Sequence, residues 1–374
     1  MMSKDVSEMI SDSIVGDSGT KGIKIPEDRD SKSSTLCYIE KEGCYLMLHR
    51  IVKEKDVNHD KWIGVGGHFE EGETADECLI REIYEETGIR LADYRYRGLI
   101  TFVPHEGSIE LMHLYTGSLK GADMTESFTG LMDEGVLEWV PKEKVWDLEL
   151  WEGDKIFFRL FEEEKDFENM LLAYDENDQL KAAELDGEPL ELIDVIDEDG
   201  NPTGTVRERG VVHLLGTLHK TVHIWIMRKN DKSGLDVLLQ KRSMTKDSNP
   251  GCYDISAAGH IQSGGGVMDA AVRETFEEIG LETEPGDFEF AGVHYGYYKG
   301  SFHGKPFNDN EMMHVFICNK EVDDRQLVLQ ESEVESVIWM DFEECKQMIH
   351  DEYMEHCIYE EEFDLVAEYL KKQR

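Results

Sequence analysis

The chain has 374 residues, which is long for one domain and favours two. Its 81 Asp and Glu residues outnumber its 39 Lys and Arg residues, so the formal net charge is −42. Binding to a nucleic-acid backbone or to an anionic membrane needs basic patches, so this charge argues against both kinds of partner. A nucleotide ligand stays open, because a bound metal ion can reverse the local field.

The seven cysteines are scattered, odd in number and without the spacing of a zinc site, which indicates reduced thiols. No stretch approaches the roughly 20 apolar residues of a membrane span, and no early apolar run resembles a signal peptide. We therefore expect a cytoplasmic protein.

Residues 1–33 are rich in Ser, Asp, Lys and Gly, and we expect a mobile N-terminal tail. Apolar patterning then predicts an α/β succession through the first half. The predicted strands are 35–39, 44–50, 98–103, 109–118, 136–140, 169–174 and 180–185, with a helix at 154–163. The turn signal at 186–189 is the best boundary, giving a first domain at 34–187 and a second at 188–374.

The second half shows the same kind of patterning. Its predicted strands are 190–195, 222–227, 235–240, 313–318 and 336–340, and its predicted helices are 342–350 and 360–371.

One stretch of the first half, 67–89, reads as a tight loop, an amphipathic helix and a glycine stop. Glu82, Glu85 and Glu86 are spaced i, i+3 and i+4, so their carboxylates share one helix face. Three carboxylates on one face repel one another unless a cation lies between them. Hard divalent ions with oxygen ligands, Mg²⁺ or Mn²⁺, suit such a group.

A second copy of this stretch lies in the other half. Arg273 follows Arg81 by 273 − 81 = 192 residues, and Gly259 follows Gly67 by 259 − 67 = 192 residues. The two copies are therefore in register without a gap. This spacing indicates two homologous domains in tandem, since the period is far too long for a solenoid.

At these residues the chain resembles the Nudix hydrolases. Every specified position of that family's box is filled in the first copy, by Gly67, Glu73, Arg81, Glu82, Ile83, Glu85, Glu86, Gly88 and Ile89. The resemblance implies that each domain is an α/β/α sandwich with a mixed sheet. It also implies metal-dependent hydrolysis of a nucleoside diphosphate that is linked to another group.

The resemblance implies roles for individual residues of the first copy. Glu82, Glu85 and Glu86, with the carbonyl of Gly67, are the expected ligands of Mg²⁺ or Mn²⁺, and Glu134 is a further candidate ligand or base from a later loop. Glu85, Glu82 and Arg81 are the expected catalytic residues: a carboxylate accepts a proton from the attacking water, and Arg81 orients the glutamates. Glu73 is expected to act behind them.

The second copy departs from the family pattern at two positions, where Gly265 replaces the first glutamate and Thr275 replaces an aliphatic residue. The metal-binding face is kept, and the expected ligands are Gly259, Glu274, Glu277 and Glu278, with Glu277 as the catalytic candidate. Two alternatives remain open: a divergent hydrolase, or a module that binds nucleotide or mediates dimerisation. A homodimer is likewise open.

The first domain resembles the MutT-type branch that acts on oxidised purine nucleotides such as 8-oxo-dGTP. In this comparison Trp151 is expected to stack on a purine and Asp154 to read its edge, while a core position for Trp151 is the alternative. Two departures bear on selectivity: Gly153 lacks a second carboxylate, and Ile63 replaces a base-reading asparagine. We expect purine preference and a small nucleotide or diphosphate substrate.

The second domain resembles the branch that contains isopentenyl-diphosphate isomerases. Ala258 stands where an isomerase needs a cysteine, so isomerase chemistry is the less favoured alternative. His213 and His219 are expected either in a metal site or as core histidines. Lys241 and Arg242 are candidates to receive a diphosphate, with a solvated strand end as the alternative.

Overall fold

The computed structural model of the protein describes residues 29–53, 56–91, 93–119, 130–131, 134–231 and 234–372. Most of the expected tail, residues 1–28, lies outside this part of the chain. Strand β1 begins at Ser31, so residues 31–33 were wrongly assigned to the tail. Their polar side chains suggested a tail, but their backbone pairs in parallel with β5 from Ser31 opposite Ile109.

The chain divides into two compact units, Met1–Leu192 and Ile193–Arg374. The described strands of the first unit are β1 (Ser31–Lys41), β2 (Cys44–His49), β3 (Trp62–Ile63), β4 (Asp93–Val103), β5 (Ile109–Ser118), β6 (Gly130–Leu131), β7 (Val136–Pro141), β8 (Asn169–Tyr174), β9 (Leu180–Leu185) and β10 (Glu188–Pro189). Its helices are α1 (Ala75–Thr87) and α2 (Glu152–Glu162), with a 3-10 helix at Lys142–Asp147.

These strands form one mixed sheet in the order β10-β9-β8-β4-β5-β1-β2-β7-β6, with β3 beside β2. The pairs β1–β5 and β4–β8 are parallel, and the other described pairs are antiparallel. The strands predicted at 109–118, 169–174 and 180–185 coincide with β5, β8 and β9.

A helix covers each face of this sheet. On one face α1 buries Leu79 and Ile83 against Cys37 and Ile39 of β1. On the other face α2 packs three phenylalanines against the rings of Tyr38 and Tyr45. These are Phe157, Phe158 and Phe161. The expected α/β/α sandwich is confirmed for this unit.

The turn at 186–189, proposed above as the domain boundary, is part of a hairpin. Asp186 and Gly187 both have positive φ, 52° and 86°, and they join β9 to β10. An Asp-Gly pair is favoured in this kind of two-residue hairpin turn, because both positions need the left-handed region. The two compact units divide a little later, between Leu192 and Ile193.

The second unit repeats the arrangement. Its described strands are β11 (Leu192–Ile196, which begins at the last residue of the first unit), β12 (Pro202–Glu208), β13 (His219–Lys229), β14 (Leu235–Arg242), β15 (Tyr253–Asp254), β16 (Ala257–His260), β17 (Phe288–Phe302), β18 (Lys305–Cys318) and β19 (Val334–Asp341). Its helices are α3 (Arg209–Leu215), α4 (Val267–Ile279), α5 (Phe342–His350) and α6 (Glu360–Lys372), with 3-10 helices at Pro285–Asp287 and Asp324–Gln326.

Its main sheet has the order β15-β14-β13-β18-β17, with β16 beside β13 and β19 beside β14, while β11 and β12 pair separately. Helix α4 covers one face through Ala270, Ala271 and Ile279. Helices α5 and α6 cover the other face, so the α/β/α arrangement is confirmed here as well.

The long hairpin of β17 and β18 was only partly predicted. The sequence indicated a strand at 313–318, whereas the strands have 15 and 14 residues. Glycines and polar residues interrupt the alternation between 294 and 310, and backbone pairing along both strands holds the hairpin despite them. Among the helices that the structure describes, none is both long and apolar enough to cross a membrane.

Candidate active sites and metal centre

Helix α1 is fixed at both ends by its own sequence. The Thr74 hydroxyl accepts from the backbone N–H of Glu77, and the Glu77 carboxylate accepts from the backbone N–H of Thr74, which forms a capping box. Gly88 ends the helix in the left-handed conformation, with φ 73°. The glutamates of α1 are therefore presented on a rigid element directly after the loop 67–73.

Arg81 joins this loop to the glutamates. Its Nε and Nη2 donate to the two oxygens of Glu73, at 2.8 and 2.7 Å. Its Nη1 donates to Glu82 at 2.7 Å and to Glu85 at 3.3 Å, and Nη2 also donates to the carbonyl of His68 at 3.0 Å. The bidentate bond to Glu73 fixes the guanidinium, which then orients the glutamates of the helix. The geometry agrees with the expected positioning role of Arg81.

Arg81 stabilises the charged form of Glu73. The hydrogen bonds from Arg81, followed by the bond from the backbone N–H of Glu70, lower the pKa of Glu73 to about 2. Glu73 is therefore a permanent anion at neutral pH. It lies on the far side of the Arg81 guanidinium from Glu82 and Glu85, and its expected role behind the metal ligands stays a prediction.

Gly67 allows the loop to approach the helix closely. A Cβ at this position would stand 2.3 Å from the carboxyl carbon of Glu82, and one at Gly259 would stand 2.1 Å from that of Glu274. Only glycine lets the backbone at residue 67 lie this close to the Glu82 carboxylate. The arrangement suits a cation held by oxygen atoms from both the loop and the helix.

We expect Gly67→Ala to weaken Mg²⁺ binding by the first unit about 10- to 100-fold, the usual scale for disturbing the surroundings of metal ligands. Gly67 is not among the positive-φ residues, so alanine adds the contact with Glu82 without backbone strain. Isothermal titration with Mg²⁺ measures the affinity, and Gly259→Ala is the matched variant of the second unit. An unchanged affinity of the first unit would contradict the metal position inferred here.

Glu86 and Glu134 complete the expected ligands of the first unit. Burial, together with the charges of Glu82 and Glu134, raises the pKa of Glu86 to about 7. Glu134 accepts from Lys53 at 2.6 Å and also from Arg50. Metal binding to Glu86 would therefore release a proton, whereas Glu134 already has two cationic partners. Arg50, which the sequence analysis missed, links Glu134 to this site.

The second box has the same layout. Arg273 donates to Glu277 at 2.8 Å and to the carbonyl of His260 at 2.9 Å, and it pairs with Glu274 at 2.7 Å. Gly265 supplies no carboxylate in the place of Glu73. Helix α4 begins after Gly266 without a side-chain cap and ends at Gly280 in the left-handed conformation. The structure thus brings Gly259, Glu274 and Glu277 together as expected.

Glu278 is more deeply buried than its counterpart Glu86. Its Oε2 accepts from the Gln240 side chain and from the backbone N–H of Ala258, both at 3.1 Å, and Lys246 Nζ lies 3.6 Å from its Oε1. Burial raises the pKa of Glu278 to about 7, and the Lys246 charge opposes that shift. One oxygen of this carboxylate is thus held by two protein donors, and the other lies near the Lys246 charge.

Trp151 lies in the core of the first unit, at 4% exposure. Its Nε1 donates to Asn58 at 2.9 Å, and its ring meets Phe102 and Tyr174 edge to face. This position matches the alternative of a core aromatic residue, and stacking on a purine would require the side chain to move. Ile63 in β3 also packs against the core of this unit.

Asp154 lies in the first turn of α2 at 5% exposure. Burial raises its pKa to about 7, against the charges of Lys61 and Lys155. The neighbouring Gly153 has no room for a side chain, because a Cβ there would stand 2.5 Å from the Tyr174 hydroxyl. The second carboxylate expected from the MutT-type branch is therefore sterically excluded.

Lys241 and Arg242, the candidates for a diphosphate contact, have internal partners. Arg242 donates to Asp254 at 2.9 Å and to the carbonyl and hydroxyl of Ser248, and its side chain is 11% exposed. Lys241 donates to Glu335 at 3.0 Å. A diphosphate contact stays a prediction for both residues, and in the structure Arg242 has an internal counter-ion in Asp254.

A group of metal-type ligands in the second unit was only partly anticipated. The ring nitrogens of His213, His219 and His260 lie within 4.8 Å of one another, and so do ligand atoms of His219, Asp309 and Glu311. His219 Nε2 lies 3.7 Å from Glu311 Oε1 and 4.0 Å from Asp309 Oδ1, too far for hydrogen bonds. Asp309 Oδ1 is buried and accepts no hydrogen bond from the described residues. We call these five residues the histidine cluster.

The chemistry of the histidine cluster suits a divalent metal. Burial, with the nearby His260 and His219, holds the pKa of His213 far below its usual value, so the ring is a neutral potential ligand. Burial raises the pKa of Glu311 and of Asp309, which a metal ion would reverse. Imidazole and carboxylate together favour a transition metal such as Zn²⁺, Mn²⁺ or Fe²⁺ over Mg²⁺.

Two sequence signals could have found the missed residues. Asp309 and Glu311 are two apart, and on a strand this spacing puts both side chains on one face. Arg50 and Arg242 are 242 − 50 = 192 residues apart, so they repeat with the period of the box. The charge of each arginine opposes the rise in pKa of an equivalent glutamate, Glu86 for Arg50 and Glu278 for Arg242.

Both halves of the chain are similar to known proteins. The NUDIX domain profile matches residues 31–161 and 217–358. An uncharacterised Nudix hydrolase of Clostridium acetobutylicum is 31% identical over 159 residues, which cover 42% of this chain and 74% of that protein. Nudix hydrolase 3 of Arabidopsis thaliana is 34% identical over 165 residues, which cover 43% of this chain and 21% of that protein.

An isopentenyl-diphosphate Delta-isomerase of Cutibacterium acnes is 34% identical over 95 residues, which cover 25% of this chain and 46% of that protein. The chain thus spans less than half the length of two of these three relatives. Among solved structures, a MutT protein from Bacillus halodurans has a TM-score of 0.35 at 24% identity, covering 42% of this chain and 99% of that chain.

Proposed function

The chain belongs to the Nudix hydrolase family, and we propose that its first unit is a Mg²⁺-dependent pyrophosphohydrolase of purine nucleoside triphosphates. Oxidised purines such as 8-oxo-dGTP fall within this substrate class, and the products would be a nucleoside monophosphate and pyrophosphate. The observation that carries the proposal is the set of bonds from Arg81 to Glu73, Glu82 and Glu85 beside Gly67.

Different residues of this unit have different roles in the proposed hydrolysis. Glu82, Glu85 and Glu86, with the Gly67 carbonyl, would hold Mg²⁺, which supplies charge neutralisation at the phosphates and a more acidic water. Mn²⁺ offers the same chemistry. Glu85 is the most exposed of these carboxylates, at 59% of its side chain, and within the described part of the chain its one ion-pair partner is Arg81, at 3.3 Å. It is therefore the best placed to accept a proton from the attacking water.

Asp154 supports the purine part of the proposal. With a pKa of about 7, a large fraction of this carboxyl group is protonated at neutral pH and can both donate and accept a hydrogen bond. The edge of a purine carries a hydrogen-bond donor beside an acceptor, so a protonated carboxyl group can bind both. Because Gly153 cannot carry a second carboxylate, we expect weaker discrimination between oxidised and normal bases than a pair of carboxylates would give.

For the second unit we propose a divergent Nudix hydrolase with a diphosphate substrate and two metal-binding places. One is the glutamate face of α4, and the other is the histidine cluster. The cluster favours a metal-dependent enzyme over a purely structural module, because it places two largely buried carboxyl groups beside three imidazole rings, a ligand set that suits a divalent metal.

The substrate proposal is tested on the full chain with Mg²⁺. The substrates are 8-oxo-dGTP, dGTP, a pyrimidine triphosphate, a nucleotide sugar and a dinucleoside polyphosphate, and released pyrophosphate and phosphate are measured. We expect pyrophosphate from the purine triphosphates, and a loss of about tenfold or more in their kcat/KM in Asp154→Asn, the scale of one charged hydrogen bond. Asp147→Asn, an exposed site in the same unit, is the control.

Equal cleavage of purine and pyrimidine triphosphates, unaffected by Asp154→Asn, would contradict the base assignment. Cleavage of the nucleotide sugar in preference to every triphosphate would overturn the substrate class while leaving the metal site intact.

A further inference from the structure

The two boxes hold their loops by different means. In the first unit Glu73 closes the loop, because it accepts from the backbone N–H of Glu70 at 2.9 Å and is bound by Arg81 through both oxygens. The equivalent position in the second unit, 73 + 192 = 265, is Gly265. Without that carboxylate the second loop needs another anchor to keep Gly259 against Glu274.

A glutamate would not fit at the second position as the loop stands. A Cβ on Gly265 would lie 2.8 Å from the carbonyl oxygen of Gln262, which also accepts from the Gly265 N–H at 2.8 Å. The backbone of the loop from Ile261 to Gly266 therefore has a shape that leaves no room for a glutamate at position 265. The two boxes differ in the backbone of this loop as well as in the side chain at this position.

A carboxylate from outside the loop holds it instead. Asp194, in strand β11, accepts from the Ser263 hydroxyl at 2.6 Å through Oδ1 and from the Gly264 N–H at 3.0 Å through Oδ2. Its neighbour Ile193 forms an antiparallel bridge with Gln262. Asp194 thus binds the loop through both oxygens, as Glu73 does in the first unit. It lies before residue 217, where the second NUDIX domain match begins.

We propose that Asp194 is the positioning residue that replaces Glu73 in the second unit. By binding Ser263 and Gly264, Asp194 fixes the loop. The loop in turn holds the His260 carbonyl that accepts from Arg273. Arg273, which has no carboxylate partner at position 265, lies closer to Glu277 than Arg81 does to Glu85, at 2.8 against 3.3 Å. The inference rests on the proposed metal-binding function of the second box.

The test uses Mg²⁺ titrations of the full chain by calorimetry, at a temperature where every variant is folded. The contribution of the second box is the binding lost in Glu277→Gln. We expect Asp194→Ala to weaken that component about 10- to 100-fold and to leave the first box unchanged. Asp194→Asn should weaken it less, because its amide oxygen can still accept from Ser263. The first box provides the parallel result, since Glu73→Gln should weaken only its own component.

Asp197→Asn is the matched control. Asp197 lies in the same β11–β12 hairpin and binds the backbone N–H groups of Asp199 and Asn201. This variant should lower the melting temperature if the hairpin matters for folding, but it should leave Mg²⁺ affinity unchanged.

The outcomes separate the two ideas. If Glu277→Gln removes no Mg²⁺ binding, the proposed function of the second box fails, and the inference fails with it. If Glu277→Gln removes a binding component that Asp194→Ala leaves intact, only the inference is overturned. A lower melting temperature of Asp194→Ala with unchanged affinity would overturn it in the same way, because Asp194 would then serve stability alone.

Discussion

Replacing Glu85 with glutamine is expected to lower kcat for triphosphate hydrolysis by about 10²–10⁴, the scale of a lost acid–base group. The reason is that the other two glutamates are less accessible to an attacking water molecule. Glu82 is held by Arg81 at 2.7 Å, and Glu86 is half-buried with a pKa of about 7. Glutamine keeps the shape of the side chain but can neither take up a proton nor carry the charge that a divalent ion needs.

Glu277→Gln is the matched control, because it makes the same change at the equivalent position of the second box. It should leave triphosphate hydrolysis by the first unit unchanged, and chelation of Mg²⁺ should abolish that hydrolysis in both proteins. Full activity of Glu85→Gln would remove Glu85 from the mechanism. If only Glu277→Gln lost triphosphate hydrolysis, the activity would belong to the second unit.

Glu362→Gln is expected to cost the second unit about 3 kcal/mol of stability at pH 6.5. Glu362 is fully buried, accepts from His223 Nδ1 at 2.6 Å and accepts from Trp225 Nε1 at 3.0 Å. Burial opposes protonation of His223, but the Glu362 carboxylate outweighs it and raises the pKa of His223 from 6.5 to about 9. Glutamine removes the counter-ion and leaves the imidazolium in the core.

The pH dependence follows from the direction of this shift. A raised pKa means that the stabilisation is complete below pH 6.5 and is lost as the pH rises through about 9. The charges of Glu311 and Asp254 also raise the pKa of His223. Urea unfolding of both proteins between pH 6.5 and 10 should therefore show a stability difference that shrinks as the pH rises.

Glu360→Gln is the control in the same helix. Glu360 pairs with His350 at 3.0 Å, but both side chains are more than half exposed, so water and salt screen the pair. This variant should unfold like the parent protein throughout the range. A difference for Glu362→Gln that stayed constant from pH 6.5 to 10 would show that the buried pair does not titrate with folding.

The sequence predicted the fold well where the pattern was local. The strands at β5, β8 and β9 and the helix α5 have the predicted bounds, because apolar alternation and turn residues mark them. The β17–β18 hairpin was underestimated, since its stability comes from pairing between strands rather than from composition. Residues 31–33 were misassigned for the same reason.

The first box was predictable because its function needs fixed spacing on one helix. Arg81 meets Glu82 and Glu85 as expected, and it also binds Glu73 in the preceding loop, a contact that the spacing did not indicate. Contacts across the fold were not predictable in this way. Whether Trp151 faces a ligand or the core depends on Phe102 and Tyr174, which lie far away in sequence.

The histidine cluster illustrates the same limit within the second unit. His213 and His219 drew notice as single residues, but the acids Asp309 and Glu311 join them only because β18 runs parallel to β13. Arg242 was named as a candidate for a diphosphate contact because of its charge, with a solvated strand end as the alternative. Its partner Asp254 is brought beside it by the pairing of β14 with β15.

Lys246 gives the second box a resident positive charge. Its ammonium group contacts Glu333 and lies 3.6 Å from Glu278, whereas no lysine or arginine of the described residues lies within ion-pair distance of Glu86. A divalent ion entering the second box must therefore compete with a cation that the protein supplies itself. If both boxes bind Mg²⁺ as proposed, the two halves of the chain would become loaded at different free Mg²⁺ concentrations.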